Sequence, residues 1–212
     1  MLRKDNNYLK MPNIKLTYFD LRARAEPCRL LLAYGGIKYQ DDRIPPPWDA
    51  ASTWPTLKPK TPFGQLPLLK WDDEVLCQSM ACARFIAREV GLAGNTNMES
   101  AKVDEIIDVI QDLINAGVKL FFAKDEAGMK KHAEVTVLTA LGQLEKKLAS
   151  RGGQYFVGNN FSWADLHIFM YFSDLPSKSV LDGFPKLANL VDRVSNIPNI
   201  RKWVETRPVT SM

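Results

Sequence analysis

The segment Pro62-Phe-Gly-Gln-Leu-Pro67-Leu-Leu-Lys-Trp71-Asp-Asp-Glu-Val-Leu-Cys77-Gln-Ser79 decides the architecture. Two short runs, Leu68–Trp71 and Glu74–Cys77, flank Asp72-Asp73 and read as a β-hairpin, although Asp-Gly would suit a tight turn better. Ser79 then stands where it caps a helix. In that helix the pairs Ala81/Cys82, Phe85/Ile86 and Glu89/Val90 recur every four residues until Gly91 stops it. Upstream, residues 14–18 alternate like a half-buried strand. Residues 25–34 read as a helix with Pro27 in its first turn and Gly35-Gly36 at its end, and residues 39–44 as a second strand. Residues 45–55, rich in proline, are irregular. The order βαβ–ββα without a CxxC pair suggests a thioredoxin-like α/β domain that holds no dithiol and presents a borrowed thiol instead.

From Glu99 onward the apolar period is helical. Val103, Ile106, Ile107, Ile110, Leu113, Ile114, Val118, Phe121 and Phe122 mark one long amphipathic helix, and Val137, Leu138, Leu141, Leu144 and Leu148 another, closed by Gly152-Gly153. Ser162-Trp-Ala-Asp165 opens a third that is apolar nearly all round and therefore buried, and helices over about 186–196 and 199–206 follow. The expected organisation is a flexible tail over 1–10, a thioredoxin-like domain over 11–91, a linker over 92–98 and an all-α domain over 99–212.

With 212 residues, 46% of them hydrophobic and 25% charged, the chain has ample material for such a core. A net charge of +4, with acids and bases interspersed, argues against a nucleic-acid partner. The apolar runs are too short to span a bilayer, and residues 1–10 lack the apolar stretch of a secretory leader. Three cysteines, Cys28, Cys77 and Cys82, show no metal spacing and point to a reduced, cytoplasmic protein without a bound metal. The two histidines, His132 and His167, have no partner motif and read as structural.

A ligand site emerges from the remaining residues. Pro67, placed after a glycine turn and immediately before a strand, is a candidate for a cis bond, which would turn the backbone N–H and C=O of Leu66 outward. Gln78-Ser79 lies at a helix N-terminus, where unpaired N–H groups and the helix dipole favour a carboxylate. Each feature alone reads equally as an ordinary turn or cap; together they suit an extended acidic peptide. On the long helix, Asp104, Asp108 and Asp112 stack like charges, each pair costing about 0.2–0.5 kcal/mol unless a cation or an ammonium group meets them. A solvated acidic face is the alternative.

Read in order, Lys15-Leu-Thr-Tyr18-Phe, Arg22-Ala-Arg-Ala-Glu26, Trp54-Pro-Thr-Leu-Lys58-Pro, Pro62-Phe-Gly-Gln-Leu-Pro67, Gln78-Ser79, Ala83-Arg-Phe-Ile-Ala-Arg88 and Val157-Gly-Asn-Asn-Phe-Ser-Trp-Ala-Asp165 closely resemble the sigma-class glutathione S-transferases. That class also holds haematopoietic prostaglandin D synthase and the S-crystallins, and the resemblance runs from about Met11 to the end. It implies a glutathione site. Tyr18 matches the catalytic tyrosine and Arg24 the arginine beside it. Trp54 and Lys58 match residues that hold the glycyl end, and Gly64, Gln65 and Leu66 the loop that pairs with the cysteinyl unit. Gln78 and Ser79 match the pair that takes the γ-glutamyl carboxylate, and Asp112 an acid that reaches the γ-glutamyl amine across a dimer interface.

The same resemblance implies an electrophile pocket near Phe19, Arg22, Ile114, Val118 and Phe122. It also implies a cytoplasmic homodimer that conjugates reduced glutathione to apolar electrophiles and reduces lipid hydroperoxides. The alternatives are isomerisation of prostaglandin H2 to prostaglandin D2, or a crystallin-like structural or ligand-carrying role. Three departures stand out. Ala23 replaces the usual glycine, the segment before Trp54 is longer and carries Trp48, and Lys119 occupies the place of the synthase's pocket tryptophan.

Overall fold

The computed structural model describes residues 12–173 and 178–210, so the tail expected over 1–10 lies outside the described residues. Strand β1 (Ile14–Phe19) buries Ile14, Leu16 and Tyr18 at alternate positions, as a strand covered by helices must. It lies inside a four-stranded sheet of order β2-β1-β3-β4. Strand β2 (Gln40–Ile44) runs parallel to it, β3 (Leu68–Trp71) antiparallel, and β4 (Glu74–Cys77) closes the hairpin. The register pairs Phe19 with Ile44, Thr17 with Leu68, and Leu68 with Cys77. The ends of β1, β2 and β4 and the beginning of β3 therefore share one edge of the sheet.

The hairpin turn is made by Asp72 at φ +53, and it is tied to the residue before β1. Asn13 N–H donates to Asp72 Oδ1 and Asp72 N–H to the Asn13 carbonyl, both at 2.9 Å. Helix α1 (Glu26–Tyr34) follows a 3₁₀ turn at Ala23–Ala25, and it packs against α3 (Ser79–Glu89). A short α2 (Trp54–Leu57) lies in the connection between β2 and β3.

By packing, the chain forms two compact units. One comprises the chain up to Gly91 with everything from Ile197 onward, including helix α9 (Pro198–Thr206), which packs on α1. The other is Leu92–Asn196. Its long helix α4 (Asn97–Ala123) starts two residues before Glu99, because Thr96 Oγ accepts the Glu99 N–H at 3.1 Å and fixes the first turn. Val103, Ile106, Ile107, Ile110 and Leu113 are buried, but the apolar stripe outlasts the burial: Phe121 is 57% and Phe122 69% exposed.

Beyond α4 come α5 (Glu126–Lys131) and a π-helical stretch (His132–Val137), neither of which the apolar period revealed, and then α6 (Leu138–Ala149). Val137, Leu141, Leu144 and Leu148 are buried, whereas Leu138 is exposed because it sits about 100° round the helix from Val137. Helix α7 (Trp163–Ser173) is buried on nearly every face and packs against both α4 and α8 (Pro185–Ser195). Its first turn is held by Asp165, whose carboxylate accepts the N–H and Oγ–H of Ser162 and the N–H of Phe156 at 2.8–3.0 Å. Burial nevertheless pushes the Asp165 carboxyl up to about 6.

Candidate active site

Tyr18, the penultimate residue of β1, has only 5% of its surface exposed. The backbone N–H of Arg24 donates to its phenolic oxygen at 3.4 Å. Arg24 thus meets the phenol through its main chain, while the residue as a whole is exposed. Burial pushes the Tyr18 phenol above its ordinary value, and the Arg24 N–H and the charges of Arg24 and Arg29 pull the other way without cancelling it. The phenol therefore keeps its proton at neutral pH. With one lone pair engaged by Arg24, its O–H is a hydrogen-bond donor. The peptide that supplies the N–H follows Ala23, whose φ of +31 lies in the left-handed region where glycine is the cheap residue.

The neighbouring side chains are assembled by contact. The Phe19 ring is 5.4 Å from that of Tyr18 and 5.4 Å, edge-on, from that of Trp54, which brings α2 to the end of β1. Trp48, in contrast, is 61% exposed. Gly64 at φ +62 lets the loop turn alongside the Lys58 stem, and a Cβ there would lie 3.5 Å from Lys58 Cε. The Leu66–Pro67 peptide is cis. Among the described residues no partner meets the Leu66 N–H or C=O. Gln78 Nε2 donates to Gln65 Oε1 at 2.9 Å, which joins the β3-side loop to the start of α3.

Ser79 is not the cap expected for α3. It is the first helical residue, and Gln78, at φ +71, is the N-cap without a side-chain capping bond. The first N–H groups of this helix thus have no side-chain acceptor from the cap, which leaves a place for a carboxylate. The hydroxyl residue Ser79 itself is 7% exposed.

Tyr18, Phe19, Arg22, Arg24, Trp54, Lys58, Gly64, Gln65, Leu66, Gln78 and Ser79 all belong to the first unit, and Ile114, Val118, Phe122 and Asp112 to the second. In the second unit Ile114 is half-buried, while Val118, Phe122 and Asp112 are exposed. Cys28, Cys77 and Cys82 are free thiols. Burial pushes Cys28 well up and Cys82 up to about 11, so neither competes as a thiolate near neutrality. Among the described residues no group of three or more His, Cys, Asp or Glu could hold a metal, and no helix is long and apolar enough to cross a membrane.

Sequence reasoning missed Arg29, which is fully buried and donates through Nη1 to the Leu21 carbonyl at 2.7 Å, beneath the loop between Tyr18 and Arg24. Its only signal was an arginine i,i+3 to Glu26 within an otherwise apolar helix face.

A protonated phenol, a cis-proline turn and a helix N-terminus thus share one edge of a thioredoxin-like sheet. The chain belongs to the glutathione S-transferase family. The glutathione S-transferase N-terminal domain matches residues 14–88 and the glutathione S-transferase C-terminal domain residues 111–207. Glutathione S-transferase 1 of Ascaris suum is 40% identical over 209 residues, covering 94% of this chain and 99% of that protein. Hematopoietic prostaglandin D synthase of Gallus gallus is also 40% identical, covering 95% and 100%. The solved structure of rat hPGDS complexed with a quinoline superposes with a TM-score of 0.84 at 32% identity, covering 95% and 100%. The α/β-plus-helical architecture is that of glutathione transferases, and the enzymatic activity is glutathione transfer.

Proposed function

We propose that Tyr18 donates its O–H to the sulfur of glutathione and so holds the cysteinyl thiol as thiolate. The observation that carries this is the buried, protonated phenol with its oxygen oriented by the Arg24 N–H. A cysteine-like thiol with a pKa near 8.5 is only about 3% thiolate at pH 7, and lowering that pKa to about 6.5 takes roughly 2.7 kcal/mol. One charge-assisted hydrogen bond supplies about 1.5–3 kcal/mol, so a single well-aimed hydroxyl nearly suffices. The thiol proton leaves to solvent. The sulfur then forms a bond to an electrophilic carbon, and a displaced halide departs with its electron pair.

In this reading the Leu66 backbone pairs with the cysteinyl unit, Trp54 and Lys58 hold the glycyl carboxylate, and Gln78 and Ser79 take the γ-glutamyl carboxylate. Phe19, Arg22 and the apolar side of α4 (Ile114, Val118 and Phe122) select the electrophile. The enzyme is a sigma-class, cytoplasmic homodimer. It also reduces lipid hydroperoxides, two glutathiones giving a disulfide while the hydroperoxide becomes alcohol and water. Identity of 40% to a prostaglandin D synthase favours a second reading, isomerisation of prostaglandin H2, against which the family resemblance puts Lys119 where the synthase is expected to carry a pocket tryptophan. Conjugation, peroxidase and isomerase rates measured on one preparation test the assignment. Turnover of a chloronitrobenzene with glutathione is expected, and no turnover of any of the three substrates overturns it in favour of a structural role.

A further inference from the structure

Glu26 and Arg29 are both fully buried in α1, and each faces something distant. Glu26 Oε1 accepts from Trp203 Nε1 and from Arg207 Nη1, both at 2.8 Å, and its Oε2 lies 3.5 Å from Arg29 Nη1. Arg29 Nε donates to Asp41 Oδ1 on β2 at 3.1 Å. Its Nη1 donates to the Leu21 carbonyl at 2.7 Å and reaches the Arg22 carbonyl at 3.5 Å. The Arg22 carbonyl also accepts the N–H groups of Ala25 and Glu26, at 3.2 and 3.1 Å, and so closes the turn that contains Arg24. One chain of contacts therefore runs from α9 through a buried carboxylate and a buried guanidinium to the backbone between Tyr18 and Arg24.

We infer that Arg29 and Glu26, held by Trp203 and Arg207, are positioning residues for the transfer reaction: they set the loop that aims the Arg24 N–H at the Tyr18 oxygen. The end of the chain thereby tunes the thiol. The contact they control is long, 3.4 Å, so a small displacement of the turn changes it appreciably. A buried carboxylate stripped of one donor also has reason to move, because an uncompensated buried charge is unfavourable. Arg29 reaches the Leu21 and Arg22 carbonyls through the same Nη1 that lies against the Glu26 carboxylate, so the side chains of both residues bear on that turn.

This inference rests on Tyr18 acting as the thiolate's donor, and the experiment separates the two. The thiol pKa of bound glutathione is read from its ultraviolet thiolate band in wild type, Trp203→Phe, Arg207→Met, Arg207→Lys and Tyr18→Phe. Trp203→Phe and Arg207→Met are expected to raise that pKa by about half a pH unit, a roughly threefold loss of thiolate below it. Glutathione affinity should hold at alkaline pH, and Arg207→Lys should restore part of the shift. Trp203→Phe removes one N–H and keeps the ring, so it decides the matter if Arg207→Met does not fold. A thiol pKa equal to wild type in Trp203→Phe, with only the melting temperature lowered, overturns the inference and leaves these residues structural. An unchanged pKa in Tyr18→Phe overturns the reading of Tyr18 itself.

Discussion

The backbone N–H of Arg24 meets the phenolic oxygen of Tyr18 at 3.4 Å, so the main chain contacts the hydroxyl directly while the Arg24 charge also acts on it. Tyr18→Phe removes the donor and keeps the ring. We expect kcat/KM to fall roughly 10–100-fold, about 1.4–2.7 kcal/mol, with glutathione KM little changed. Because burial raises the Tyr18 phenol above its ordinary value, the rising limb of the pH–rate profile belongs to the thiol. In Tyr18→Phe that limb should move toward the pKa of free glutathione. A limb that stays in place excludes the mechanism.

Ser79 gives a sharper test than a capping serine would. Since Gln78 rather than Ser79 is the N-cap of α3, Ser79→Ala should not carry the roughly 1 kcal/mol cost of losing a cap. Glutathione binding should weaken by about 1–3 kcal/mol, the cost of a carboxylate short of one donor. Calorimetric titration beside thermal melting measures both. A lowered melting temperature with unchanged affinity means that Ser79 serves the helix alone.

Much of this arrangement was legible in the chain. The hairpin around Asp72-Asp73 shows in short runs bounded by turn residues, and α7 in an apolar run opened by Ser162 and Asp165. The order of strands placed Leu66-Pro67 and Gln78-Ser79 on one edge of the sheet, whereas the role expected of Tyr18 came from the family resemblance. The cap of α3 was misread because glutamine is a poor capping residue and serine a good one, and only the backbone shows Gln78 at φ +71. The π-helical turn at His132–Val137 has no periodic signature. The Glu26 contacts were invisible for a different reason: Trp203 and Arg207 lie 177 and 181 residues away, and no local pattern encodes such a pairing.

Asp165 connects the buried helix to pH. Its carboxyl titrates near 6 in the folded chain, whereas an unfolded aspartate titrates near 3.9. Between those values the folded state binds more protons than the unfolded state, so this group's contribution to stability falls as pH rises from about 4 to 6. The total is about 3 kcal/mol. Asp165→Asn cannot titrate, and it loses at least one of the three hydrogen bonds, so it should be less stable throughout. The test is the difference between wild type and variant from denaturant unfolding, which should be larger at pH 4 than at pH 7. A difference that is flat, or that grows with pH, shows that the three donors outweigh burial and keep Asp165 ionised.

Asp112 tests assembly. It is exposed on α4, four residues beyond Asp108, and we propose that it meets the γ-glutamyl ammonium bound by a partner chain. A C2 dimer would then carry two such shared sites, each incomplete in a monomer. Asp112→Asn keeps the shape and removes the charge. We expect glutathione binding to weaken, with the loss shrinking for a glutathione analogue that lacks the γ-glutamyl amine. A desolvated charge pair is weakly screened, so the effect should change little between low and moderate salt, whereas a solvent-exposed pair would lose most of it. Sedimentation at the assay concentration establishes the species being titrated. A fully active monomer, or an Asp112→Asn variant that binds glutathione normally, removes the shared site and leaves Asp112 as part of a solvated acidic face.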